Sequence, residues 1–240
     1  MKIKLLHPLV SCICITSIRS DNLIRSIICF DQQNYPNREL IISYPFYDID
    51  IPCLVRKIIK ATDIRIIEVP RDPEISLGKA RNQAIEKCNG EYICMWDDDD
   101  LYDYRRISNQ FNGIIGNSKH LQASILNRIM LYNAISKRAY ISLSNSWSGS
   151  LLCNKTLIKK IPCDDQNQHE CKSIINHLVS KKLIYEISDK FHLYIFVYNG
   201  KNMMNEEEFT SFIKLSKRVN ENYLSDLNEY IDHISQVKLF

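Results

Sequence analysis

Glu91-Tyr-Ile-Cys-Met-Trp96 runs straight into Asp97-Asp98-Asp99-Asp100. The first six residues are mostly apolar with no helical period, which predicts a short buried central strand. The next four are carboxylates at that strand's C-terminal end, where open α/β sheets place their ligand sites. At about 6 Å and an effective dielectric of about 20, each adjacent pair of like charges costs roughly 3 kcal/mol. Water can relieve this by letting the side chains splay. A hard divalent cation can relieve it by coordination, and magnesium and manganese take carboxylate oxygens. If the chain stays extended, Asp97 and Asp99 point to one side, a spacing suited to an ion that also grips a diphosphate.

The grammar on either side of this stretch is that of a doubly wound sheet. Leu9 to Thr16 reads as a strand, Asn22 to Gln33 as a helix with Leu23, Ile27 and Phe30 on one face, and Glu39 to Ser43 as a strand. A helix over Pro52 to Thr62, a strand over Ile64 to Val69 and a helix from Ser76 or Leu77 to Lys87 follow, the last closed by a left-handed cap at Asn89-Gly90. Alternating strands and helices imply parallel pairing. After Asp100 the pattern changes. A helix is expected from Asp103 to Asn112, then short strands at Gln122–Leu126, Ile129–Asn133, Ala139–Leu143 and Ser150–Cys153. Short helices at Lys155–Lys160 and Glu170–Lys181 precede strands at Leu183–Ile187 and Phe191–Val197. Amphipathic helices begin at Glu206-Glu207-Glu208, acidic residues suiting a helix's positive end.

Composition narrows the classes. The 240 residues suffice for one large α/β domain, and 45% apolar with 25% charged residues is ordinary for a globular chain. A net charge of +3 without clustered Lys and Arg gives no reason to expect nucleic acid. The nine cysteines are scattered without a CxxC pair, which predicts reduced thiols and a cytoplasmic protein. Lys2 and Lys4 before an apolar run imitate a signal peptide, but His7 and Pro8 interrupt the run, and Ser11 to Ile15 alternates like a strand. No run approaches the roughly 18 to 20 apolar residues of a membrane helix. Cys163, His169, Cys171 and His177 lack standard zinc-finger spacing.

Six segments in order now carry a resemblance: Val10-Ser-Cys-Ile-Cys-Ile-Thr16, Gln33-Asn-Tyr-Pro-Asn37, Glu39-Leu-Ile-Ile42, Leu77-Gly-Lys-Ala-Arg-Asn82, Asn89-Gly-Glu-Tyr92 and Trp96-Asp-Asp-Asp-Asp100. Together they resemble the family-two glycosyltransferases over roughly residues 8 to 112, and more thinly beyond. The resemblance implies a GT-A fold: a Rossmann-like, mostly parallel mixed sheet flanked by helices, within α/β, here with a C-terminal helical appendage. On that reading residues 1–205 form the transferase domain, with a nucleotide-binding half to about 112 and an acceptor half over 113–205; residues 206–240 are the appended helices. It implies a nucleotide-sugar donor, a UDP- or GDP-sugar, and divalent manganese or magnesium. Thr16, Ser17 and Arg19 would line the nucleoside pocket. Arg81 and Asn82 would approach the nucleoside or diphosphate, and Asp97 and Asp98 the ribose and diphosphate. Asp97 and Asp99 would hold the metal, with Asp99 its principal ligand. Trp147, in Ser146-Trp-Ser-Gly-Ser150, would offer an acceptor platform.

Three departures from the family pattern stand out. Ser43-Tyr44-Pro45-Phe46 occupies the place of an acidic base-recognition element, with Asp48 or Asp50 as possible substitutes. Cys171 stands where relatives carry the general base, leaving Glu170 as the nearest carboxylate and Asp165 the next. Asn199, in Tyr198-Asn-Gly-Lys-Asn202, replaces a histidine. Two readings follow. One is an inverting, metal-dependent sugar transfer to an acceptor hydroxyl of a sugar, lipid-linked or protein molecule. The other is a catalytically degenerate relative that binds nucleotide, sugar or protein without turnover.

Overall fold

A computed structural model describes residues 7–17 and 20–236. The chain begins Val10–Ile15 (β1), Ser20–Asp31 (α1), Arg38–Pro45 (β2), Asp50–Ala61 (α2), Ile66–Arg71 (β3), Leu77–Lys87 (α3) and Tyr92–Met95 (β4). Leu101–Tyr102 (β5) follows the aspartates, then Arg106–Asn117 (α4), Ala123–Leu126 (β6), Met130–Asn133 (β7), Arg138–Ile141 (β8), Leu152–Asn154 (β9) and Lys155–Lys160 (α5). The chain ends with Lys172–Ser180 (α6), Ile184–Ile187 (β10), Tyr194–Tyr198 (β11), Glu206–Lys214 (α7), Lys217–Arg218 (β12) and Glu221–Gln236 (α8).

The strand order of the larger, seven-stranded sheet is β10-β6-β9-β4-β1-β2-β3. β1 is flanked in parallel by β2 and by β4, so the chain reverses its winding direction there. The loops leaving β1 and β4 therefore diverge and open a crevice at the carboxyl ends of both strands. β9 runs antiparallel between β4 and β6, which makes the sheet mixed. A second sheet of five strands has the order β12-β8-β7-β11-β5. Its strand β5 begins directly after Asp100, so the acidic turn is the hinge between the two sheets.

Alternation along β1 explains the layering. Val10, Cys12 and Cys14 enter one buried cluster with α1, α2, α4 and the second sheet, while Ile13 enters another with α3, α5 and α6. Ile51, Val55 and Ile58 place the buried stripe of α2 at helical spacing. The helices after Glu206 join the first cluster. Phe209 stacks on Tyr198 at 4.3 Å, β12 pairs with β8, and Leu224, Leu227, Ile231 and Ile234 of α8 are buried.

The strand expected from Phe191 begins at Tyr194, after a 3-10 turn at Phe191–Leu193, and two further sequence expectations change. The helix after the aspartates starts at Arg106, because the Asp103 carboxylate accepts from Arg105 N at 2.9 Å and holds residues 103–105 in a turn. Gly90 does not take the left-handed conformation; the one positive-φ glycine among the described residues is Gly200. Gly90 is needed for closeness instead: a Cβ there would lie 2.5 Å from Ser11 Oγ and 2.7 Å from the Leu9 carbonyl oxygen. Around it, Ser11 Oγ donates to Glu39 Oε1 at 2.6 Å and Asn89 N donates to the same oxygen at 2.7 Å. Fully buried Glu39 thus ties β1, β2 and the start of β4 together at the strands' amino-terminal ends, opposite the crevice.

Gly78 fixes a second close approach. A Cβ there would lie 1.8 Å from the Asp164 carbonyl oxygen, and Gly78 N donates to Gln166 O at 3.1 Å. This seats the 163–171 loop on the first turn of α3. Gly78→Ala is expected to lower unfolding free energy by about 1–3 kcal/mol, because the overlap is with backbone that cannot rotate away; urea denaturation measures it, and an unchanged midpoint would contradict the packing.

Candidate active site

The crevice is a cleft of about 490 Å³. Ser17 from the end of β1, Arg71 from the end of β3, Arg81 from α3, the four aspartates, Trp147 to Gly149, Glu170, Tyr194 and Asn202 line it. Each aspartate has a protein partner. Arg81 Nη2 donates to Asp97 Oδ1 at 2.7 Å, Thr16 Oγ1 to Asp98 Oδ2 at 2.6 Å, and Asn202 Nδ2 to Asp99 Oδ2 at 3.0 Å. Asp100 binds the Tyr194 hydroxyl at 2.5 Å and accepts from Val197 N at 2.9 Å. The like-charge repulsion is thus met largely by hydrogen bonds rather than by splaying into water. Burial, then Asp99 and Asp97, push the Asp100 carboxyl well above the usual carboxylate range.

The chain turns at Asp98-Asp99 rather than staying extended, because the strand ends at Met95. The alternation survives in exposure. Asp98 and Asp100 are buried, while Asp97 and Asp99 remain half-buried in the cleft.

Arg81 organises the opposite wall. Its Nη1 lies 2.5 Å from Glu170 Oε1 while its Nη2 holds Asp97. Burial alone would lower the guanidinium's pKa, but Asp97 and Glu170 outweigh it and hold it above its ordinary value. Arg81 lines the cleft with both ends of its fork already engaged by protein. Glu170 is 4% exposed and faces the cleft. Cys171 does not share that position. It is fully buried, its Sγ lies 3.7 Å from Cys163 Sγ, and the hydrogen bond to Cys163 together with burial raises its pKa well above the thiol range. A protonated, enclosed thiol cannot accept a proton from an acceptor.

The remaining expected residues divide. Ser17 lines the cleft, and its Oγ accepts from Arg71 Nη2 at 2.9 Å. Thr16 sits behind Asp98 rather than in the cleft wall. Arg19 lies outside the described residues. Asn82 clamps the backbone of Cys163, its Nδ2 donating to Cys163 O at 2.8 Å and its Oδ1 accepting from Cys163 N at 2.9 Å. Trp147 borders the cleft but is 8% exposed, with its indole N–H on Ser142 Oγ and its ring against Phe212 at 5.1 Å. Asp48 caps α2 by accepting from the Asp50 and Ile51 amides, and neither Asp48 nor Asp50 lines the cleft. Asp165 pairs with Lys79 at 2.8 Å at the surface. Asn199 accepts from Lys201 N in a tight turn.

Sequence reasoning missed Arg71, Tyr194, Asn202 and Arg106. Arg71 closes β3, so the strand-end rule that found the aspartates could have found it. Its Nη1 donates to Thr16 O at 3.0 Å, and it is 8% exposed. Arg106 carried no signal, sitting in an ordinary amphipathic helix. It is fully buried, donates to Met95 O at 2.8 Å and Gly149 O at 3.0 Å, and lies over the rings of Tyr102, Tyr194 and Trp96. It fixes the end of β4 against the Trp147–Ser150 segment.

Among the described residues no group of three or more His, Cys, Asp or Glu converges as a metal cage. Magnesium-like ions seldom need one, since they keep water and take substrate phosphates beside one or two carboxylates. Asp97 and Asp99, both half-buried, each present a carboxylate on the cleft wall.

A parallel-rich sheet flanked by helices, with an acidic cleft at the carboxyl ends of β1 and β4, is the GT-A architecture. The sequence profile of glycosyl transferase family 2 matches residues 11–164, and the chain belongs to that family. Among solved structures it is similar to S. aureus TarS 1-349, with 17% identity over 78% of this chain and 60% of that chain and a TM-score of 0.60. It is similar to the same protein in complex with UDP-GlcNAc at 17% identity, over 96% of this chain and 76% of that one, with a TM-score of 0.59. It is also similar to the mannosyltransferase PcManGT from Pyrobaculum calidifontis in complex with GDP-Man and Mn2+, at 12% identity over 82% and 59% of the chains, with a TM-score of 0.62. The chain spans 60% of the TarS chain and 59% of the PcManGT chain. No curated protein sequence matches it. Among the described residues no helix is long and apolar enough to cross a membrane.

Proposed function

We propose that this chain transfers a sugar from a nucleotide-sugar to an acceptor hydroxyl, with inversion and with Glu170 as general base. The observation that carries this reading is the Arg81 bridge, which sets Glu170 and Asp97 on two nitrogens of one buried guanidinium. A proton acceptor and a diphosphate-side carboxylate then stand at a fixed separation across one cleft. Ser17 and Arg71 would receive the nucleoside, and the UDP and GDP moieties bound by the structural neighbours support a UDP- or GDP-sugar. Asp97 and Asp99 would hold manganese or magnesium, which when bound supplies Lewis-acid stabilisation of the departing diphosphate. Glu170 takes the acceptor proton. Arg81 keeps that carboxylate aimed at the cleft, and the Trp147–Gly149 segment walls the acceptor side. The catalytic unit would lie within residues 1–205, with the appended segment after residue 205 packing on it through Phe209, Phe212 and the buried face of α8. The nine free cysteines support a reducing compartment, the cytoplasm.

A binding-only relative is the second reading, favoured by the enclosed Cys171 at the place of the family's base. Sugar release from a panel of UDP- and GDP-sugars with manganese separates the two, since a degenerate member binds without turnover. For the metal, Asp99→Ala is expected to weaken manganese-dependent binding of a nucleoside diphosphate by at least about tenfold, the loss of one charge-assisted ligand. Calorimetric titration reads it. Unchanged manganese-dependent affinity would remove Asp99 from the metal site.

A further inference from the structure

We propose that Cys163 and Cys171 are a modification site, a dithiol that a hydroperoxide converts to a disulfide beside Glu170. The two sulfurs are 3.7 Å apart and eight positions apart in sequence. They stand at the two ends of the loop that carries Glu170. Asp164 N donates to Glu170 O at 2.7 Å, so the loop closes on itself just inside the two cysteines. The pair is also wired to the cleft, for Arg81 Nη1, the nitrogen on Glu170, lies 3.6 Å from Cys171 Sγ.

The two cysteines are unequal. Cys163 is 4% exposed and Cys171 is enclosed. The hydrogen bond with Cys171, and Arg81 behind it, lower the Cys163 pKa against the opposing effect of burial. Cys163 is therefore the attacking sulfur and Cys171 the resolving one. The Cys163 sulfur attacks one peroxide oxygen and the O–O bond breaks. The departing hydroxide takes the thiol proton and leaves as water, and Cys163 becomes a sulfenic acid. The Cys171 sulfur then attacks Cys163, the S–O bond breaks, and a second water carries off the Cys171 proton. Two thiols are oxidised and one hydroperoxide is reduced.

The bond would be felt at Glu170. A disulfide needs about 2.05 Å between sulfurs. Cys163 is held on both backbone groups by Asn82, so closure draws on Cys171. That residue directly follows Glu170, and its sulfur leaves Arg81 as it moves. The carboxylate is re-aimed with it.

The consequence for turnover rests on the transferase reading; the chemistry of the pair does not. The full chain is exposed to hydrogen peroxide and mapped by non-reducing peptide mass spectrometry. The expected result is a Cys163–Cys171 crosslinked peptide, two hydrogens lighter and reversed by dithiothreitol. Sugar turnover is expected to fall by about 100-fold, as for a misplaced catalytic group, and to return on reduction. Cys163→Ser, or Cys163→Ala should the serine variant fail to fold, is expected to form no crosslink and to keep through peroxide whatever activity it has. Unlinked thiols, or sulfonic acids at both positions of a folded chain, overturn the proposal; a crosslink that leaves turnover intact upholds the dithiol and overturns the re-aiming of Glu170. A reduced protein with no turnover counts against the transferase reading alone, while the crosslink map still decides the dithiol.

Discussion

Glu170→Gln is expected to lower sugar transfer by about 10² to 10⁴ while nucleotide binding persists. The substitution is isosteric. A glutamine carbonyl can still accept from Arg81 Nη1, so the guanidinium keeps both of its partners and the 163–171 loop keeps its seat. What is lost is the proton acceptor, and an acceptor hydroxyl of high pKa is then a poor nucleophile. Steady-state kinetics beside calorimetry with a nucleoside diphosphate and manganese separate the two effects. Cys171→Ser is expected to be mild, because the thiol is enclosed against Cys163 and has no route to an acceptor. If Glu170→Gln left transfer untouched while Cys171→Asp raised it, the chain would be a member whose base has been lost.

Arg81→Ala is expected to cost about 3–5 kcal/mol of folding stability, the scale for breaking a buried ion pair from one side. The side chain is 5% exposed and is shared by Asp97, at 27%, and Glu170, at 5%. Without it two carboxylates face each other across a low-dielectric wall with no cation between them. Arg81→Lys is expected to recover only part of the loss, because one ammonium cannot place two planar donors on two separate carboxylates. The pairing makes a second, sharper demand. In a double-mutant cycle, Glu170→Gln in the Arg81→Ala background should be less damaging than in the native chain, or even stabilising. Urea unfolding with an unchanged m-value reads these differences. Simple additivity would mean that Arg81 and Glu170 do not act as a unit.

The aspartates were legible because their position follows from local rules. An apolar run is buried, its carboxyl end faces the switch point of the sheet, and four carboxylates there demand explanation. The alternation of the first four strands and three helices was equally local, since each buries a periodic face of its own. The second half was less legible. Its short runs looked alike in sequence, yet β6 and β9 extend the large sheet while β7 and β8 belong to the smaller one. Pairing partners are chosen by distant strands, and no spacing within a run records the choice.

The family motifs divided in the same way. Glu39 and Asn89-Gly90 read as signature residues, and the structure sets them at the amino-terminal ends of β1, β2 and β4, where buried Glu39 accepts from Asn89 and Ser11 Oγ accepts from the Gly90 amide. Asn82 read as a nucleotide contact and clamps Cys163 instead. The sequence by itself determined the doubly wound half and the acidic strand end, because strand burial and charge repulsion act between neighbours in the chain. Only the tertiary structure decided which side chains meet there. Arg81 reaches Glu170 across 89 positions, Tyr194 reaches Asp100 across 94 and Asn202 reaches Asp99 across 103. Such partners are selected by the packing of whole sheets, since a buried charge is tolerated only where the completed fold brings it a counterpart.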